Sequence, residues 1–292
     1  MRTTNRRPCR LFEDASVRTA LFTGAIVAAL SGALGYFAVL RRLAFVGHAI
    51  TDFGFTGGAA AVLVGLNSLW GFLALSIAGA LAVDRFSMHA RERDVATGIV
   101  LSFSLGIGAL LLYFSTRFVS EPAALLFGSI FEIDPHVILP MLAIAIVCLS
   151  GVVILYRPLT FATISPEVAA ARGVPVRALG TAYMLLLAIG VAESAQIVGI
   201  LLSTALLIGP AASAAYLTRR PIVALAFAMI VAAAETILGI VLAYQSYTWP
   251  PGGKGWPVSF FVTMLALGVY LIARAWHPAT RARRVPRTSI AA

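Results

Sequence analysis

Residues 47–52 read Gly-His-Ala-Ile-Thr-Asp inside an otherwise apolar run. His48 and Asp52 are four apart, so a helix presents both on one face. An ionisable side chain inside a membrane span is costly and marks function by default. Imidazole with carboxylate is a donor set that accepts zinc or manganese. Two ligands from one helix are too few for a tight site. A transported ion must also leave, however, so a weak site suits a pathway. In a dimer, two such pairs could face one conduit. The plainer reading of the same residues is a His–Asp hydrogen bond that fixes packing.

A second feature is Ser165-Pro166-Glu167, followed by Val168-Ala169-Ala170-Ala171-Arg172-Gly173. Ser165 suits an N-cap and Pro166 the first helical position. Glu167 then sits where a negative charge favours the helix dipole. Gly173 can end the helix with positive φ, and Pro175 prevents continuation. The pattern predicts a helix of about two turns in a cytoplasmic loop, either a plain surface element or a docking element for a soluble motor. A third feature is the stretch 197–215, rich in small and hydroxyl residues. There Gly199 and Gly209 permit close helix contact, and Pro210 is expected to kink the span. This stretch could line a pathway or simply pack. Glu193 and Glu235 also fall in or near spans. Glu193 is expected near an outer helix end, open to water. Glu235 lies deeper and needs a polar partner or a bound proton. Both are candidate secondary pathway residues, with structural hydrogen bonding as the alternative. His136 and His89 read as surface histidines, and Asp84 and Asp94 as caps or partners of neighbouring arginines. Cys9 and Cys148 form neither a disulfide framework nor a thiolate metal site.

Apolar runs must position these residues. The chain has 292 residues, 60% hydrophobic and only 12% charged. Its mean hydropathy is +0.93. A soluble fold of this length cannot hide so much apolar surface. The composition therefore specifies an all-α polytopic membrane protein and excludes soluble enzymes and nucleic-acid modules. About 20 apolar residues cross a bilayer as a helix. Such runs occur at 18–40, 43–66, 69–84, 94–115, 136–157, 178–193, 196–217, 221–245 and 257–274, which predicts eight or nine transmembrane helices. The segment 121–130 is too short to span and is expected to be a half-helix buried by protein. The first apolar run is expected to be retained, because no cleavage motif closes it.

The net charge of +10 comes from 22 Lys+Arg against 12 Asp+Glu, and Lys254 is the only lysine. Arginines at 41–42, 85–93, 157–177, 219–220 and 274–287 mark cytoplasmic ends. Alternating sides then give eight crossings from residue 43 onward. A ninth crossing, by run 18–40, places the basic tail 1–17 outside, against the charge rule. Three regions follow: the tail 1–17, a transmembrane domain 18–275 with a cytoplasmic loop at about 158–177, and a basic, disordered cytoplasmic tail 276–292. The chain carries no G-x-x-x-x-G-K-[ST] phosphate loop, so any ATP hydrolysis driving it belongs to another chain.

Taken in order, the landmarks resemble the ABC-3 family, the membrane permeases of bacterial zinc and manganese ABC importers. Residues 40–47, Leu-Arg-Arg-Leu-Ala-Phe-Val-Gly, resemble that family's L-R-R-M-A-F-x-G, which is followed by D-A-x-S-H-A. The span 94–112 with Gly98-Ile99, Phe127-Gly128-Ser129-Ile130, the loop 165–176, Val198 to Leu202, Ala205 to Ala212 and Pro251-Gly252-Gly253 resemble its later elements. The likeness covers roughly residues 18–275. It implies a fold like that of the vitamin B12 and siderophore permeases, and residence in the bacterial cytoplasmic (inner) membrane. It also implies a second permease copy, cytoplasmic ABC ATPase subunits and an extracytoplasmic metal-binding protein. The helix 165–173, with Ser165, Glu167 and Gly173, would dock into the ATPase. Two departures stand out. The family motif places Asp first and His four later, whereas here His48 precedes Asp52, which moves each ligand by about one turn, roughly 5.4 Å. Ser165 replaces the usual Asp of the docking loop.

These readings combine into a permease subunit, not itself an enzyme, that imports divalent metal by alternating access. Zn²⁺ or Mn²⁺ would be its substrate, and no cofactor would be bound permanently. His48 and Asp52 would line the route, and the imidazole weights the choice toward zinc. The rivals are an ABC permease for a siderophore or organic cofactor, and a proton-coupled secondary transporter using Asp52, Glu193 and Glu235 as a relay. An intramembrane zinc protease would need an H-E-x-x-H motif, which is missing.

Overall fold

A computed structural model describes residues 15–86, 90–114, 135–247, 249 and 255–282. In the described residues the apolar runs form helices, because a bilayer offers no water to backbone N–H and C=O groups. Nine are long: α1 (Ala15–Leu40), α2 (Ala44–Leu63), α3 (Ser68–Phe86), α4 (Ala90–Phe114), α5 (Pro135–Ile164), α7 (Val176–Val198), α8 (Ile200–Leu217), α9 (Pro221–Ser246) and α10 (Val258–Ala282). Between α5 and α7 lies the short α6 (Pro166–Ala171). No strand occurs among the described residues.

The nine runs expected from sequence correspond to the nine long helices, but the count of membrane spans is corrected. Seven helices among the described residues are long and apolar enough to cross, rather than eight or nine. The physical reason lies in α2 and α4. Helix α2 carries His48, Asp52 and several glycines, which lower its hydropathy. Helix α4 opens on Arg91, Glu92, Arg93 and Asp94, leaving Thr97–Leu111 as its apolar part. Helix α5 continues through Pro158 to Ile164, and helix α10 runs on to Ala282. The segment 121–130, the stretch 251–253, and residues Cys9 and His89 lie outside the described residues.

Helix α1 is the most buried of the spans and packs on α9, α8, α7 and α5. Lipid is as apolar as leucine, so close approach and hydrogen bonds must hold such helices together. Gly32 and Gly35 supply that approach. A Cβ on Gly32 would lie 2.6 Å from the carbonyl oxygen of Ala228 in α9, and one on Gly35 would strike the carbonyl of Leu207 in α8. Ser31 and Ser194 pair at 2.9 Å between α1 and α7. The α2–α3 pair is similar, with Gly57 and Gly71 each against the other's carbonyl.

Two turns fix the chain's path. Helix α1 ends with Arg42 at φ 57°, as Arg42 N–H donates to Val39 O and Leu43 N–H to Ala38 O. That is a Schellman closure with arginine in the left-handed position, at a local cost of about 1–2 kcal/mol. Helices α7 and α8 meet at Gly199, with φ 86° and ψ 159°. That region is essentially closed to any other residue.

Replacing Gly35 with Val should force α1 from α8 and destabilise the fold by about 1–3 kcal/mol or more. Gly268, with no atom within 4 Å of its would-be Cβ, should accept Ala without loss. Thermal unfolding in detergent checks both, and equal melting temperatures for the two variants would refute this packing.

Candidate functional site

Helix α2 leaves the Arg41-Arg42 turn and carries His48 and Asp52 one turn apart. Gly54 and Gly57 set one face of α2 on α3. Thr56 reaches α4, donating to Ser104 O at 2.7 Å. Gly47 meets Leu207 of α8 and Leu187 of α7. At 100° per residue, His48 and Asp52 occupy the arc left between α4 and the α7–α8 pair. Phe55 closes the same arc further along, packed with Ala192, Ala195 and Ile200.

His48 Nε2 lies 3.5 Å from Asp52 Oδ2. That is long for a hydrogen bond and leaves both groups open to a third atom. The His48 side chain is 40% exposed and that of Asp52 only 4%. His48 Nδ1 and Asp52 Oδ2 have no hydrogen-bond partner. A buried polar atom without a partner is rare enough to need a reason. Among the described residues no cluster of three His, Cys, Asp or Glu could hold a metal. Among the described residues the pair therefore supplies two potential ligands, too few for a closed cage.

The other candidates are dispersed. Glu193 is buried at 2% exposure, which corrects the expectation that water reaches it. It lies two turns beyond Leu186, which packs on Cys148 and Gly151 of α5. Glu193 thus shares the α5-facing stripe of α7, whereas Ala192 faces Phe55 of α2. Glu235 is equally buried, in α9, and neither of its oxygens has a partner, so the polar partner expected for it is missing among the described residues. Neither glutamate joins His48 and Asp52. Pro210 is buried in α8, which runs through it unbroken, and the interruption of this stretch lies at Gly199 instead.

In the short α6, Ser165 occupies the N-cap position, but its hydroxyl makes no capping bond; its carbonyl accepts from Ala169 N–H at 3.0 Å. Pro166 follows, and Glu167 stands exposed in the first turn. Gly173, at φ 80°, completes the closure: Gly173 N–H donates to Ala170 O and Val174 N–H to Ala169 O, both at 3.0 Å. Ala169 is buried against the bundle while Pro166, Glu167, Val168 and Ala170 face out. A six-residue helix is thus held rigidly on the end of α5, one side free.

One cluster escaped the sequence reading. Arg41, read there only as a topology marker, holds its guanidinium 5.8 Å from the ring centre of Tyr183. The Tyr183 hydroxyl donates to Leu34 O at 2.7 Å. Nothing in the apolar run around Tyr183 distinguishes it from a lipid-facing tyrosine.

The model of the ABC 3 transport family matches residues 13–276. The manganese transport system membrane protein MntC of Listeria innocua is 31% identical over 80% of this chain and 84% of its own length. The high-affinity zinc uptake system membrane protein ZnuB of Haemophilus influenzae is 26% identical over 77% and 86%. Among solved structures, PsaBC from Streptococcus pneumoniae in complex with a Fab superposes with a TM-score of 0.81 at 23% identity, covering 94% of this chain and 96% of that one. A metal-chelate type ABC transporter in an inward-facing conformation gives a TM-score of 0.67 at 19% identity, over 94% and 91%. The fold matches these two transporters, and the family model spans nearly all of the described helices: the chain belongs to the ABC 3 transport family.

Proposed function

We propose that this chain is the membrane permease of an ATP-driven importer for a first-row divalent cation, with zinc as the preferred cargo over manganese. The observation that carries the reading is the His48–Asp52 pair on one face of α2, where Asp52 is enclosed and His48 part-exposed, and where a nitrogen and an oxygen lack hydrogen-bond partners among the described residues. Imidazole nitrogen with one carboxylate oxygen suits zinc, and a harder ion such as manganese would gain from a second carboxylate. The curated relatives include proteins named for each metal.

A second copy of the chain across this arc would bring two such pairs to one conduit and raise the ligand count to four. A weakly held ion then enters from an extracytoplasmic binding protein and leaves toward the cytoplasm as the two copies switch access. The exposed side of α6, with Glu167 and Val168, would seat a separate cytoplasmic ATPase. No covalent step falls on this chain. Asp52, Glu193 and Glu235 sit on three different helices, and among the described residues no hydrogen bond involves either glutamate carboxyl. That arrangement disfavours a proton relay. The membrane would be the bacterial cytoplasmic membrane.

The test is uptake of radiolabelled zinc and manganese, in competition, into vesicles holding this chain with its ATPase and binding protein. His48→Ala and Asp52→Ala should each lower ATP-dependent uptake by about tenfold or more, an effect of about 1.4 kcal/mol. Glu193→Gln and Glu235→Gln should stay within about twofold of wild type. Wild-type uptake in the His48→Ala/Asp52→Ala double variant would remove the pair from the pathway. ATP hydrolysis that responds to the binding protein without flux of either metal would point to an organic ligand. Loss of uptake on collapsing the proton gradient, with ATP held constant, would point to proton coupling.

Coupling at α6 is tested separately. Glu167→Arg reverses the exposed charge, and Gly173→Val forces a β-branched residue into left-handed backbone. Both should reduce co-purification of the ATPase or its stimulation by the binding protein. Unchanged association and stimulation in both variants would discard the docking assignment.

A further inference from the structure

The cytoplasmic end of the bundle holds a junction that neither the metal pair nor the docking helix uses directly. Arg41 closes α1, Asp84 lies in the last turn of α3, and Thr181 and Tyr183 lie in the second turn of α7. The Thr181 hydroxyl donates to Asp84 Oδ2 at 2.5 Å. Tyr183 is fully buried, and its hydroxyl donates to Leu34 O. Its ring lies under the Arg41 guanidinium. Burial pushes the Arg41 guanidinium below its ordinary value, while the charge of Asp84 pushes back. An acid at a helix C-terminus opposes the dipole, so Asp84 is held there by what faces it. Three helices thus meet through polar contacts in a region where apolar packing would be the default.

The position of this junction is what matters. Helix α7 begins three residues after Gly173, so any displacement of α6 enters the bundle through the first turns of α7. On the other side, Arg41 belongs to the tight turn whose strained Arg42 launches α2. His48 stands about two turns into that path.

We infer that Arg41 is a positioning residue for transport: clamped on Tyr183 and facing Asp84, it ties the α1–α2 turn to the start of α7, so that movement of the docking helix reaches the His48–Asp52 pair. This inference rests on the proposed docking role of α6 and goes beyond it by naming the contact that carries the movement. It predicts that loosening the clamp separates ATP hydrolysis from events at the outer face without weakening delivery there.

The experiment uses the assembled transporter in lipid vesicles and reads stimulation of ATP hydrolysis by the metal-loaded binding protein. Arg41→Gln should cut the maximal stimulation about fivefold, within the range of energies by which single residues modulate coupling, while half-maximal binding-protein concentration and basal hydrolysis stay at wild-type values. Arg41→Lys, which keeps the charge, should restore most of it. A purely structural role would instead lower assembly and basal hydrolysis together, and Arg41→Lys would not separate them. Stimulation by Arg41→Gln equal to wild type overturns the inference. Where Arg41→Gln does not assemble, Thr181→Val decides. It removes the hydroxyl's bond to Asp84 together with its bond to Arg177 O within α7, and it should lower stimulation about twofold or more, while an unchanged value overturns the inference. Stimulation is read without metal flux. A wild-type complex that is stimulated but moves neither zinc nor manganese therefore counts against the metal reading, not against this one.

Discussion

Inside a bilayer, burying one more leucine gains nothing over leaving it in lipid, so this bundle depends on how closely backbones can approach. The contact of α1 with α8 and α9 through Gly35 and Gly32 is the clearest case. Because α1 is enclosed by four other helices, its small face determines how α7, α8 and α9 lie around it. The Ser31–Ser194 hydrogen bond adds roughly 0.6 kcal/mol by the usual measure for membrane proteins, and its chief effect is register. Tyr183 sets that register again nearer the cytoplasm, by its bond to Leu34 O. The cation–π contact with Arg41 adds about 0.5–2 kcal/mol there. The site on α2 inherits its placement from these contacts, since α2 itself is pinned by Gly47 to Leu207 and Leu187.

What could be read from the sequence follows from which constraints are local. A run of apolar residues long enough to span makes a helix irrespective of its neighbours, so the nine long helices were legible. Whether a helix is apolar enough to count as a span is a matter of composition at the margin, and α2 and α4 fall below it because of their charged residues and, in α2, glycines. The turn at Gly173 was legible because its chemistry is contained in three adjacent residues. Ser165 sits at the expected cap position, yet its hydroxyl does not cap; the local rule places the residue but not its rotamer. Pro210 and Gly199 show the reverse. The proline was expected to kink its span, and the helix continues through it, as helices can where neighbours satisfy the backbone. The glycine, read only as a packing residue, adopts a conformation that ends α7.

His48 and Asp52 were legible as a pair, because residues four apart on a helix share a face whatever surrounds them. Its surroundings were not. How far each member is enclosed depends on Gly54, Gly57 and Thr56 meeting α3 and α4, contacts between segments distant in sequence. Glu193 illustrates the same limit. Its position near a helix end suggested water, but α5 packs along that side of α7 and closes it off. A carboxyl group can therefore sit near the end of an apolar run and still be closed off from water.

The inverted order of His48 and Asp52 has a physical meaning once the burial of each is known. Along α2, His48 is nearer the Arg41-Arg42 turn and part-exposed, while Asp52 lies further along the helix and is nearly closed off. The carboxyl is thus in the drier position and the imidazole in the wetter. On the proposed inward path a cation would meet the enclosed carboxyl first and the more exposed imidazole last, where water is at hand. In the opposite order the carboxyl would stand at the end where release has to occur. The inversion would therefore leave the donor set intact and shift the balance between capture and release, and the Arg41 turn would set how His48 stands when the ion departs.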